Sequence, residues 1–384
     1  MTAAGTAPLV VLAAGGTGGH VFPAEALAAE LIGRGAALML FTDRRGDVYG
    51  GTLGGLDSRT IRAGGIAGKG LLARARSLAD LALGSLQARR LLKKLSPRAV
   101  VGFGGYASVP TVLAATASGI RTVVHEQNAV LGRANRLLAG RVDRIATSFA
   151  QVVAVPPGAE SKVVRTGMPV RPAFRAVSAR DYVPPTADGD IRLLVLGGSQ
   201  GARIFGDVVP AAVARLNASF RRRRVISQQC RAEGLEAADT AYRQLQVTVD
   251  LAPFFDDVPQ RLAAAHLVIA RAGASTVAEL TALGRPAILI PYPFAIDDHQ
   301  SANARALAPS GAAWVLPQQT FDADSLAGRL IDLLAGDGAA LVAAAGAARA
   351  AGCPDAAARL ADVVASVSGL SAGQTITTAA GGRA

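Results

Sequence analysis

Residues 8–20 read PLVVLAAGGTGGH, and residues 191–202 read IRLLVLGGSQGA. Each is a short apolar run that ends in a glycine cluster and gives way to a helical pattern. That step from buried strand through tight turn to helix belongs to a parallel sheet covered by helices. Glycine has no Cβ, so backbone N–H groups at the helix start can approach an anion closely. Gly15 and Gly197 lie 182 residues apart, about one domain, so the chain carries the same opening twice. A single such loop is as readily a tight packing turn as a ligand loop; two in equivalent places favour phosphate. Neither is a dinucleotide fingerprint, because after Gly16 and Gly18 the third glycine would have to stand at Val21. No G-x-x-x-x-G-K-[ST] loop occurs either.

The alternation continues on both sides. Pro23 sits near the start of a helix that Gly33 or Gly35 ends, and Ala37–Thr42 reads as a strand. Leu71–Leu95 has helical periodicity. Arg98–Phe103 reads as a strand, Val109–Ser118 as a helix with Pro110 near its start, and Arg121–His125 as another strand. Asp181–Asp190, rich in Pro, Asp and Gly, reads as a linker, after which Val247–Leu251, His266–Ala270 and Ala287–Pro291 are further strands. The expectation is an α/β protein of two Rossmann-like, doubly wound domains facing a cleft. Its parts would be residues 1–180, a linker at 181–190, residues 191–350, and a C-terminal helix and tail at 351–384. The Ala-, Gly-, Ser- and Thr-rich tail beyond about Ser366 is expected to be disordered.

A length of 384 residues agrees with two domains, and a chain 51% hydrophobic is too apolar to be disordered. Two cysteines, Cys230 and Cys353, make neither a disulfide framework nor a four-ligand zinc site, which fits a reducing setting. The formal charge of +12 is unevenly spread: residues 1–185 hold 23 Lys/Arg against 10 Asp/Glu, the rest 17 against 18. Only four of the 40 basic residues are Lys, so Arg abundance follows base composition and says little about phosphate. The asymmetry is not explained that way. It points the first half at an anionic partner: nucleic acid, anionic membrane or phosphorylated substrate. Residues 1–24 contain no Asp, Glu, Lys or Arg, so they lack a basic n-region, and their apolar run goes straight into the glycine loop; no signal peptide is expected. No segment reads as membrane-spanning, since Gly102, Gly104, Gly105, Ser108 and Pro110 break the uncharged stretch 99–120.

Polar residues gather after three apolar strands: Phe103–Ser108 (FGGYAS), His125–Asn128 (HEQN) and Tyr292–Gln300 (YPFAIDDHQ). Ligands bind at strand carboxyl ends in doubly wound sheets, though Asp and Asn there also serve as caps. Ala270–Leu280 (ARAGASTVAEL) reads as strand, loop and helix with Ser275 or Thr276 near the cap. Its plain reading is capping; its functional one makes Glu279 an acceptor for sugar or ribose hydroxyls. The four histidines His20, His125, His266 and His299 show no metal spacing, and the pair Asp297-Asp298 lacks a third ligand. No G-x-S-x-G elbow appears. In Lys69–Lys94, basic residues interleave with leucines. An ordinary amphipathic core helix is the plain reading of the body, and a membrane-surface segment that of its start, Gly64–Leu72. Aromatics at 4% disfavour single-strand stacking.

Taken together, these segments resemble the MurG family, the UDP-N-acetylglucosamine transferases that convert lipid I to lipid II in bacterial cell-wall synthesis. The likeness lies in GGTGGHVFPA, the GKG at Gly68–Gly70, GFGGYAS, HEQNAVLGRANR, PVR at Pro169–Arg171, GGSQGAR, FFDDV, RAGASTVAEL and DDHQSANA. These blocks run in the family's order from residue 8 to about residue 310. The resemblance implies a GT-B fold, acceptor handling and membrane association by the first domain, and UDP-sugar binding mainly by the second. Donor-site positions carry over onto Thr17, Gly18, Gly19, Asn128, Arg171, Ser199, Phe255, Ala274, Ser275, Thr276, Val277, Ala278, Glu279 and Gln300. Phe255 would touch uracil through its backbone, Glu279 would hold the ribose, Ser199 would face the diphosphate and Gln300 the sugar. Gly104, Gly105, Tyr106, Glu126 and Gln127 are the acceptor-side candidates. The chain departs from the family pattern at Met168 (usually Asn), at Gly206 (often Asn) and at Gln228-Gln229-Cys230-Arg231, which replaces an HQTG-like segment.

The expected chemistry is one in-line displacement that inverts the anomeric carbon, with no cofactor and no metal. His20, at the end of the first loop, is the candidate base because an ordinary imidazole suits proton transfer near neutrality; its plain alternative is a histidine that merely orients the loop. Partners would be UDP-GlcNAc, lipid I and an anionic membrane surface, not nucleic acid, at the cytoplasmic face of the bacterial inner membrane. The alternatives are a GT-B transferase for another lipid or natural-product acceptor, which HEQN and GFGGY argue against, and a non-enzymatic nucleotide or nucleic-acid binding module.

Overall fold

The computed structural model describes residues 7–16, 18–43, 50–64, 71–186, 188–198, 201–334 and 338–370. Thr17, Ser199, the GKG segment and the tail beyond residue 370 therefore lie outside the described residues. The chain forms two compact units, residues 1–171 with 355–384, and residues 172–354.

The first unit is built on β1 (Leu9–Ala13), β2 (Ala37–Thr42), β3 (Ser58–Thr60), β4 (Ala99–Gly102), β5 (Arg121–Glu126), β6 (Arg144–Thr147) and β7 (Val163–Arg165). All pair in parallel in the order β3-β2-β1-β4-β5-β6-β7, with Val10 opposite Leu38 on one side and Ala99 on the other. A central parallel strand is buried on both faces, which is why β1 is apolar throughout. Alternate side chains serve opposite layers. Val11, Val100 and Val124 pack with Ala88, Leu92, Val109 and Val112. Val10, Leu12, Val101 and Val123 pack with Ala24, Leu27, Leu31, Leu360 and Val364. The last two belong to helix Ala356–Ser368, which covers the first unit beside helix Gly18–Gly33. Arg34 fastens the pair, reaching Asp362 at 2.6 Å and the Ala358 carbonyl at 3.1 Å.

The second unit repeats the plan with β8 (Ile191–Leu196), β9 (Arg224–Gln229), β10 (Thr248–Ala252), β11 (Leu267–Ala270), β12 (Ala287–Leu289) and β13 (Ala313–Val315), ordered β10-β9-β8-β11-β12-β13. The stretch 181–190 lies within this unit. Tyr182 Oη donates to the His266 carbonyl at 3.0 Å, and Arg223 donates to the carbonyls of Thr186 and Gly189. In both sheets the strand order reverses beside the first strand, between β1 and β4 and between β8 and β11. Doubly wound folds bind ligands at that reversal.

Helix Leu71–Leu95 turns its small residues inward. Ser77, Gly84, Ala88 and Leu92 are buried, whereas Leu78, Leu83 and Leu86 are 56%, 47% and 54% exposed. A Cβ on Gly84 would lie 1.9 Å from the Arg62 carbonyl oxygen, so the close approach requires glycine. The body packs on the core as an amphipathic helix, with Leu92 buried and Leu81, Leu91 and Leu95 partly buried against it, and it carries a second set of leucines outside. Its outer face is leucine flanked by exposed Arg76, Arg89, Arg90, Lys93 and Lys94. No single helix among the described residues is long and apolar enough to cross a membrane.

Candidate active site

In the first unit the loops after β1, β4 and β5 converge at the sheet's reversal. A Cβ on Gly15 would fall 2.7 Å from Ala107 Cβ, so the first glycine loop packs directly on helix Gly105–Ala117. That helix starts four residues ahead of the Val109 expected from sequence and keeps Pro110 inside it. The reason is the pair Gly104 and Gly105, whose φ of 80° and 65° only glycine adopts cheaply. They turn the chain from β4 into the helix and leave a bare backbone shelf. The imidazole of His20 lies on it: Cβ atoms at Gly104 and Gly105 would approach the ring to 3.4 and 3.3 Å.

Gln127 lies beneath. It is 2% exposed, and its Nε2 donates to the Phe103 carbonyl at 2.9 Å and toward the His125 carbonyl and Nδ1, both at 3.1 Å. Its Oε1 faces His20 Nδ1 at 3.1 Å. His125 is wholly buried, with Nε2 3.2 Å from the Gly167 carbonyl, and burial pushes its pKa down to about 4. It is therefore a neutral imidazole at physiological pH.

Glu126 is also buried, at 2% exposure. Its Oε1 accepts from Asn128 N at 3.0 Å and Asn128 Nδ2 at 3.4 Å; its Oε2 accepts from Gly132 N and Asn135 Nδ2, both at 2.8 Å. The carboxylate thus organises the 126–135 segment, bonding the backbone just before helix Arg133–Leu138 and the Asn135 side chain within it. Asn128 and Tyr106 remain half-buried at the site's surface. Gly18 and Arg171 meet through a residue the sequence reading passed over. The Arg171 guanidinium lies 4.3 Å from the Phe22 ring centroid, and a Cβ on Gly18 would strike that ring at 2.8 Å. Gly19 belongs to the first turn of helix Gly18–Gly33.

In the second unit the candidates follow the carboxyl ends of β8, β10, β11 and β12. After β8, Gly198 and Gly201 have φ of 81° and 68°, and Gly197 N donates to Gln229 Oε1 at 3.0 Å. Gln229 Nε2 also donates to the carbonyls of Gly198 and Pro253, both at 3.1 Å, so this side chain braces the glycine loop. Helix Arg203–Arg215 then begins without a side-chain cap. Phe255, 5% exposed, lies under the Arg261 guanidinium at 4.0 Å. Helix Ala274–Leu283 starts at Gly273, also uncapped by a side chain; Ala274, Ser275 and Thr276 form its first turn, Val277 and Ala278 follow, and Glu279 is 8% exposed. Gln300 Oε1 accepts from Tyr292 N at 3.0 Å, holding the loop before helix His299–Leu307.

Two departures from the family pattern touch each other: a Cβ on Gly206 would lie 3.2 Å from Cys230 Sγ. Gln228 is buried, donating to the Phe205 carbonyl at 3.2 Å and accepting from Tyr242 Oη at 2.7 Å. Arg231 packs on Gly201 and pairs with Glu233 at 2.7 Å. Met168 is buried in the first unit.

Residues 10–147 match the glycosyltransferase family 28 N-terminal domain, and residues 192–360 match its C-terminal domain. The chain is 61% identical over 357 residues to the UDP-N-acetylglucosamine–N-acetylmuramyl-(pentapeptide) pyrophosphoryl-undecaprenol N-acetylglucosamine transferase of Paramagnetospirillum magneticum, covering 93% of this chain and 96% of that protein. The protein of the same name from Rhodospirillum rubrum is 58% identical over 359 residues, covering 93% and 92%. Among solved structures, Acinetobacter baumannii MurG superposes with a TM-score of 0.75 at 30% identity, over 94% of this chain and 99% of that one.

Proposed function

The chain belongs to the MurG family of glycosyltransferases, and on that premise we propose how its residues divide the work. The enzyme is a hexosyltransferase that moves N-acetylglucosamine from UDP-N-acetylglucosamine to lipid I, giving lipid II for peptidoglycan synthesis. The 4-hydroxyl of the acceptor's N-acetylmuramyl sugar attacks the anomeric carbon, the configuration inverts, and UDP departs. His20 takes the hydroxyl proton. The observation that carries this role is its imidazole resting on the Gly104–Gly105 shelf at the sheet's reversal, with Nδ1 already engaged by Gln127.

The second unit holds the nucleotide. Backbone N–H groups opening helix Arg203–Arg215, together with Ser199, offset the charge that grows on the diphosphate. Glu279 holds the ribose hydroxyls, Phe255 the uracil through its backbone, and Gln300 the sugar. The first turn of helix Ala274–Leu283 also serves the donor, and in the first unit Thr17, Gly18, Gly19, Asn128 and Arg171 keep the donor-binding role that the family resemblance implies. Tyr106 and the Gly104–Gly105 shelf face the acceptor, while the burial of Glu126 and Gln127 supports a role beneath it. The exposed leucines and flanking cations of helix Leu71–Leu95 rest on an anionic lipid surface, making this a peripheral enzyme of the inner membrane's cytoplasmic face.

The test is UDP release with lipid I. His20→Ala should bind UDP normally and lose turnover, and wild-type turnover in that variant would end the base assignment. Glu279→Ala should raise the donor KM; an unchanged KM would refute the ribose contact.

A further inference from the structure

A histidine acts as a base only through its unprotonated nitrogen, and in the neutral ring the two nitrogens exchange that role by tautomerism. Which nitrogen of His20 carries the proton follows from the side chain beneath it. The Gln127 amide can be oriented in two ways, but its neighbours permit one. On one side it meets two carbonyl oxygens, of Phe103 at 2.9 Å and His125 at 3.1 Å, which only accept. The N–H₂ group must face them, so Oε1 must face His20 Nδ1 at 3.1 Å. An amide oxygen only accepts as well, so Nδ1 carries the hydrogen. The same logic fixes the other end of the chain. His125 Nε2 faces the Gly167 carbonyl at 3.2 Å, which only accepts, so Nε2 carries the hydrogen, and the neutral ring leaves Nδ1 unprotonated toward the Gln127 N–H₂ group at 3.1 Å. The contacts that run from the Gly167 carbonyl through His125 and Gln127 to His20 Nδ1 agree with this single proton arrangement.

We propose that Gln127 is a positioning residue that fixes His20 as its Nδ1–H tautomer and so presents the Nε2 lone pair to the acceptor hydroxyl. This rests on His20 being the base. As the hydroxyl oxygen bonds the anomeric carbon and the bond to UDP breaks, its proton moves to His20 Nε2, and the bonding electrons leave on the diphosphate. Gln127 Oε1 keeps its hydrogen bond to Nδ1–H throughout, so the ring neither rotates nor exchanges tautomer during the step. Gln127 therefore assists the reaction without touching substrate, as its burial requires.

The chain has four histidines, so ¹⁵N spectra of the full-length protein labelled at histidine resolve each ring, and His20→Ala identifies the His20 signals. The expected wild-type signature is a protonated Nδ1 and an unprotonated Nε2. Gln127→Leu, which has no acceptor, should show the Nε2–H form, with kcat lowered by about tenfold or more and an unchanged KM for UDP-N-acetylglucosamine. Gln127→Glu loses the same donors but keeps an oxygen toward Nδ1, so it should retain the wild-type tautomer. A wild-type His20 protonated at Nε2, or a Gln127→Leu variant with its tautomer unchanged, would overturn the proposal. The wild-type spectrum alone decides it if either variant fails to fold. Full turnover in His20→Ala would remove the base assignment while leaving the tautomer result readable.

Discussion

Glu126→Gln exchanges one carboxylate oxygen for an N–H₂ group in a ring of four donors. Whichever way the new amide points, it faces N–H groups: those of Asn128 at 3.0 and 3.4 Å, or those of Gly132 and Asn135 at 2.8 Å. Hydrogen bonds to a charged group contribute about 1.5–3 kcal/mol each. The 3.4 Å contact is long and adds little, so the amide turns its nitrogen toward Asn128 and loses one strong bond. The remaining pair weakens because its acceptor is now neutral. The neutral amide costs less to bury than the carboxylate, which offsets part of the loss. The net expectation is a destabilisation of about 2–3 kcal/mol. In a unit of this size that lowers Tm by roughly 5–10 °C. Thermal unfolding with native-state hydrogen exchange is the assay, and the Gly132 amide should exchange faster. A Tm within about 1 °C of wild type, together with lost turnover, would refute the reasoning. Glu126 would then act on substrate and not on its own loop.

Gly105→Ala forces a Cβ onto φ +65° and to 3.3 Å from the His20 ring; it should cost about 1–2 kcal/mol and lower kcat while leaving the donor KM unchanged. The pH dependence of the first unit should carry the mark of His125. Its folded pKa of about 4 lies below the unfolded value near 6.5, so the unfolded chain binds the proton first. Stability is thus full above about pH 6.5 and falls toward pH 4, by up to about 3 kcal/mol. Urea unfolding of His125→Gln should show a flatter profile over that window, and an equal slope would sink the assignment. Replacing Leu78, Leu83 and Leu86 together by Ser should weaken sedimentation with anionic vesicles by about a hundredfold, taking roughly 1 kcal/mol for each half-inserted leucine. Tm should not fall, because all three are exposed; undiminished vesicle binding would reject the lipid-facing role.

What was legible in the sequence was local. The apolar run ending in glycine at Ala14–Gly15 and at Leu196–Gly197 gives both first strands and both switch-point loops, because strand burial and positive φ are written in the residues themselves. The strands Ser58–Thr60, Arg144–Thr147 and Val163–Arg165 are three or four residues long with charged members and carry no such signature. Arg224–Gln229 (RVISQQ) has four polar residues of six, and Gln228 and Gln229 find partners in Phe205, Tyr242, Gly197 and Pro253, which a linear reading does not bring near. Pro110 misled the reading of its helix, because the start is set by the two glycines before it and not by the proline.

The polar residues after β5 make the same point. That Glu126 and Gln127 stand at a strand's carboxyl end is a sequence fact, and it marks them as ligand candidates. Which way they face depends on what meets them: Gly132 and Asn135 at the start of the following helix, Phe103 just after β4, and His20 from 107 residues earlier. Phe22 acquires its place between Gly18 and Arg171 in the same way.

The sequence by itself determined the two-fold repeat of the glycine loop, the α/β class and the family, because strand patterning and backbone freedom are properties of neighbouring residues. Only the tertiary structure decided which polar groups are buried and which of them meet, His20 with Gln127 among them. A buried donor or acceptor must find its partner wherever the fold supplies one, and here those partners come from loops far apart in the chain.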